Sequence, residues 1–162
     1  MVRALAAGRR QARERALSLL YEAETKGVTP AEVLAELPLE PAQFAAELVA
    51  GVGEHQAEVD GWIVRFARDW ALDRMPALDR ALLRIGVYEL VFRPDVPTGA
   101  IISEAVEMAQ VYSTDDSSRF VNGVLAAIAA EARPGTKPPV VVVEPREPGE
   151  PVPFEDEPDQ LL

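Results

Sequence analysis

A chain of 162 residues, 48% of them apolar, has room for one domain with a true core and none for a catalytic module beside a binding module. It contains no cysteine and a single histidine, His55, which excludes disulfides, thiol catalysis, iron–sulfur clusters and a cysteine/histidine zinc site. No apolar run approaches the roughly 20 residues of a membrane-spanning helix and no apolar signal segment opens the chain, so the expected compartment is the cytoplasm.

Taken in order, the first fifteen residues carry Arg3, Arg9, Arg10, Arg13 and Arg15 against one acid, Glu14, in a chain whose net charge is −11. A first helix is predicted over about residues 9–25, with Leu17, Leu20 and Tyr21 on one face and Gly27 as its stop. Thr29-Pro30-Ala31-Glu32 is a capping box with proline at the first helical position, opening a short second helix to about Leu37. After Pro38 and Pro41 the apolar spacing predicts one long third helix holding Phe44, Leu48, Val52, Val59, Trp62, Ile63 and Phe66, loosened at Gly51 and Gly53. Pro76 opens a fourth, ended by Arg93-Pro94, and a fifth follows Pro97-Thr98. The sixth follows Ser113-Thr114-Asp115-Asp116-Ser117, rich in N-capping side chains, and carries Phe120, Val121, Val124, Leu125 and Ile128.

The fold class is therefore all-α, a compact bundle of six to seven helices in two three-helix groups over residues 1–133. Residues 134–162 hold eight of the fourteen prolines and seven acids against two bases; this composition cannot bury enough apolar surface to offset chain entropy, and a disordered acidic tail is expected.

On a helical projection of about 100° per residue, Arg9, Arg10 and Arg13 share an arc with Leu17, Leu20 and Tyr21. The stripe changes from aliphatic to guanidinium within about a turn, which implies that the helix start projects past the body as a cationic ledge. Planar, permanently charged forks suit phosphate, so a nucleic-acid backbone is one guest. A solvated basic helix end, or a contact with an acidic protein or membrane surface, are the others.

Beyond the ledge the sequence shows four segments in a specific order and spacing. These are Arg9-Arg10-Gln11-Ala12-Arg13-Glu14 leading to Leu20-Tyr21; Asp79 to Leu90; Asp95-Val96-Pro97 with Ile102 to Ala109; and Asp116-Ser117 leading to Phe120-Val121-Asn122-Gly123-Val124-Leu125. Over about residues 9–130 they resemble the bacterial transcription antitermination protein family NusB. The resemblance implies a non-enzymatic protein; no cofactor or metal is expected from the residues, and the sequence leaves monomer and homodimer open. Such a protein binds boxA-type RNA together with a small-subunit ribosomal protein, NusE, and joins the elongating RNA polymerase complex. It places RNA contacts on Arg9, Arg10, Arg13, Tyr21, Asp116 and Phe120, and contacts with the ribosomal protein on Asp79 and Glu89. Gln11 departs from the basic run often found in the family.

Each of these residues has a plainer reading beside the functional one. Tyr21 fits a core stripe as well as a base-stacking ring, Phe120 fits ordinary packing, and Asp116 fits a helix N-cap. Gly123 within a helix suggests a close helix crossing, His55 a surface or capping role, and Trp62 and Trp70 buried anchors. Replacing Arg9, Arg10 and Arg13 with alanine is expected to abolish RNA binding and leave the fold intact. A helical protein–protein adaptor without specific RNA binding is the alternative function. A detached domain related to the helical part of an RNA cytosine methyltransferase is a third reading, whose catalysis is excluded by the absence of a strand–glycine-loop–helix pattern. The acidic tail is expected to compete with RNA for the arginines.

Overall fold

A computed structural model describes residues 2–68 and 70–136, so the expected acidic tail lies almost wholly outside the described residues. Seven α-helices run α1 Val2–Lys26, α2 Pro30–Glu36, α3 Gln43–Glu54, α4 Gln56–Phe66, α5 Ala77–Phe92, α6 Thr98–Tyr112 and α7 Asp115–Ala132, with a 3-10 turn at Leu72–Arg74 before α5. No strand occurs among the described residues.

The local signals explain most of the boundaries. Gly27 adopts φ 66°, and the amides of Gly27 and Val28 donate to Glu24 O and Ala23 O, the paired bonds that close a helix on a left-handed glycine. Thr29 Oγ1 accepts from the Glu32 amide at 3.1 Å while the Glu32 carboxylate accepts from the Thr29 amide at 2.8 Å, so the expected capping box forms. α1 starts seven residues before Arg9, because Ala4, Leu5, Ala6 and Ala7 are strong helix formers and nothing ahead of them breaks the turn.

The predicted long third helix is two. The break falls at His55, at φ −110° and ψ 19°, whose ring stacks on Phe92 at 4.0 Å between centroids. Gly51 does not loosen the helix: a Cβ there would lie 2.1 Å from the Tyr88 ring, so glycine admits α5 against α3. The close crossing expected at Gly123 is also elsewhere. Gly123 is exposed with open space around it, whereas a Cβ on Gly86 would come 2.8 Å from Leu125, bringing α5 tight against α7.

α5 is the axis of the molecule. It packs on α1, α3, α4, α6 and α7, and is buried on nearly every side. α1, α2 and α3 form one group and α5, α6 and α7 the other, with α4 against both α5 and α7. One continuous apolar core joins them, running from Leu17 and Leu48 through Ile63, Leu82 and Ile85 to Ile101, Leu125 and Ile128. Each such side chain contributes roughly 1.5–3 kcal/mol on burial.

Polar staples lock the ends of α5. Asp79 at its start accepts from the Ser113 and Ser117 hydroxyls, both at 2.7 Å, tying α5 to the α6–α7 turn. At its other end the Arg133 guanidinium donates to the carbonyls of Glu89, Leu90, Arg93 and Val96 and to Thr98 Oγ1, tying the last turn of α5 and the loop after it to the end of α7.

Candidate nucleic-acid interface

The first turns of α1 do stand clear of the body, since residues 3–8 are all exposed. The arginines that follow do not form one free ledge. Arg9 is half-buried, with its guanidinium 5.3 Å from the Phe44 ring centroid and 4.0 Å from Asp95 Oδ2. Arg10 turns the other way, toward α6. Its Nε donates to Glu14 at 3.0 Å and its Nη1 to Glu104 at 2.9 Å and Glu107 at 2.7 Å. Burial disfavours its charged form, yet the hydrogen bonds it donates to Glu104, Glu107 and Glu14 outweigh this and raise its pKa above the ordinary arginine value.

Arg13 lies inside the fold: it is 2% exposed, and its Nε and Nη2 donate to the Glu89 carboxylate at 3.0 and 2.8 Å. Glu89, at 1% exposure, is the other half of that buried pair. Asp79, fully enclosed, is committed to Ser113 and Ser117. Both carboxylates are spent on partners within the fold, where they hold α5 in place. The helical projection fixed the direction of Arg13 correctly, but α5 lies in that direction.

The remaining positions lie on α1 and α7. Tyr21 follows Arg10 by eleven residues, about three turns, and so lies on the same face, half-buried. Asp116 is exposed in the first turn of α7, but the N-cap is Thr114, whose hydroxyl accepts from the Ser117 amide at 3.1 Å. Phe120, half-buried, meets Trp70 edge to face at 5.3 Å. Trp70 is 38% exposed and so is not the enclosed anchor the sequence suggests. Arg68, Arg74 and Arg119 are exposed on the same two segments.

Sequence reasoning singled out Phe120 but not the Trp70 ring it meets or the arginines that flank the pair. The signal was there: Arg119-Phe120 is a basic–aromatic dipeptide, and Arg68, Trp70 and Arg74 occupy a stretch without apolar periodicity. An exposed ring on a half-buried one, flanked by exposed guanidiniums, suits unstacked bases and phosphates.

Around Phe44 the charge is largely balanced. Arg93 also lies over this ring, at 5.3 Å, and donates to Asp95 and Glu47. Those hydrogen bonds hold both carboxyl groups below the usual carboxylate range. No group of three or more potential metal ligands occurs among the described residues.

The family model for NusB matches residues 10–130. The transcription antitermination protein NusB of Kineococcus radiotolerans is 50% identical over 127 residues, spanning 76% of this chain and 93% of that protein. The corresponding protein of Leifsonia xyli is 51% identical over 130 residues, 75% of this chain and 90% of its own length. Among solved structures, T. maritima NusB superposes with a TM-score of 0.69 at 32% identity, over 76% of this chain and 91% of that one. A chain in the crystal structure of antitermination factors NusB and NusE with double-stranded RNA gives 0.67 at 30% identity, over 77% and 98%. With the helical order, the core and the sequence in agreement, the chain belongs to the NusB family.

Proposed function

We propose that this chain is a cytoplasmic transcription antitermination factor that binds boxA-type RNA together with the ribosomal protein NusE. The pair then joins the elongating RNA polymerase complex, chiefly on ribosomal RNA operons. The observation that carries this reading is the likeness, over 98% of its length, to a chain solved with NusE and RNA. The curated relatives bear the name of a transcription antitermination protein and not of an enzyme.

The residues that support RNA contact are Arg9 and Arg10 on α1, Tyr21 on the same helix, and Asp116 and Phe120 on α7, with Trp70 and Arg119 added by the geometry. Asp116 repels phosphate, so its part is to accept from a base amino group. The arginines supply counterion release and the rings supply stacking.

The test is a fluorescence titration of full-length protein with boxA-like and scrambled RNA, with and without NusE. The buried Arg13 is left in place. Arg9→Ala/Arg10→Ala should weaken boxA binding by about tenfold or more, as two phosphate contacts are lost, and Phe120→Ala should lose about as much through stacking. Unchanged affinity in both variants would refute the site, and failure of boxA-like RNA to bind even with NusE present would favour the adaptor reading.

A further inference from the structure

We propose that Glu104 and Glu107 of α6 set the RNA selectivity of this interface by occupying Arg10 until a correctly seated strand displaces them; this rests on the RNA-binding function proposed above. Three carboxylates converge on one guanidinium, two of them from a helix more than ninety residues away in the chain. Their oxygens lie at 2.7–3.0 Å, the spacing a phosphate oxygen would take. They stand in the place of a nucleic-acid backbone.

The consequence is an exchange where a free arginine would give a simple gain. Any strand that reaches Arg10 must break contacts of the same kind it makes, and it brings a phosphate close to two acids. A strand held by its backbone alone gains little from Arg10. One that also seats bases near Asp116, Phe120 and Trp70 has a second source of affinity with which to drive the exchange. The two acids divide the work by exposure. Glu107, with its side chain 56% exposed, can swing into solvent, whereas Glu104 at 23% remains near the guanidinium. Arg9 provides the contrast, with a single acid at the outer limit of an ion pair.

The experiment is a double-mutant cycle in the full chain. Glu104→Gln/Glu107→Gln, and Glu107→Ala as a milder second variant, are each titrated with boxA-like and scrambled RNA in the wild-type and Arg10→Gln backgrounds. Thermal unfolding checks that every variant folds. The paired glutamines should tighten scrambled RNA by about tenfold and boxA-like RNA by about threefold, so that discrimination falls; the gain should disappear when Arg10 is Gln. An equal gain in the Arg10→Gln background would show that the acids act only by distant repulsion, and no gain at all would show that they do not compete; either overturns the proposal. Loss of boxA binding in the wild-type protein itself would fail the parent function, a different result from binding without discrimination by these acids.

Discussion

Arg13 and Glu89 are each enclosed to within a few per cent, and their forked contact ties α1 to α5. Removing one partner leaves a charge without water or counter-charge, so Arg13→Ala or Glu89→Ala should destabilise the fold by about 3–5 kcal/mol. Arg13→Met/Glu89→Leu, which removes both charges and keeps volume, should recover most of that loss. Denaturant unfolding of the three variants checks it; equal stability of the single variants and the wild type would refute the buried pair. The burial of Arg13 therefore argues against the expectation that three alanines leave the fold intact. A projection of one helix tells which way a side chain points but not what lies there, and the deciding acid is 76 residues away. Arg9 and Arg10, one residue apart, diverge for the same reason: one meets Phe44 of α3 and the other meets α6.

Most helix starts and stops were legible because their causes are local, the start of α1 and the break at His55 being the exceptions. The capping box at Thr29, the left-handed Gly27, Pro76 and the Ser113–Ser117 cluster all mark real boundaries. Glycines inside helices were not legible, since their meaning depends on the facing helix. Gly86 and Gly123 make the contrast measurable. Gly86→Ala forces its methyl into Leu125 and should cost about 1–3 kcal/mol, whereas Gly123→Ala faces open space and should gain up to about 1 kcal/mol from helix propensity. Opposite shifts of the unfolding midpoint are the expected result; shifts of the same sign would contradict the assigned crossing. Thr29→Ala removes one arm of the capping box and should cost about 1 kcal/mol by the same measurement.

For the molecule as a whole, net charge is a poor guide to its partners. The chain totals −11, yet Arg3, Arg15, Arg68, Arg74 and Arg119 are exposed while much of the acid is spent on internal pairs. Single-stranded RNA binding should weaken with salt in proportion to the phosphates neutralised, about 0.7 in the logarithmic slope for each. Arg9→Ala/Arg10→Ala should therefore reduce that slope by about 0.7 to 1.4, read from titrations across a salt series; an unaltered slope would mean that neither arginine meets phosphate. The helical class, the order of elements and the family were legible because apolar spacing and four separated segments carry them jointly. The division of labour among the arginines was not, because it is written in contacts between helices.

The grip of Arg133 on four carbonyls has a practical corollary. It anchors the exit of the polypeptide at the same loop that supplies Arg93 and Asp95, beside Arg9 and Phe44. A dye coupled at Thr136, which bonds to Arg133 O, would thus begin close to the loop after α5, and a bulky affinity handle attached there would crowd the same ground.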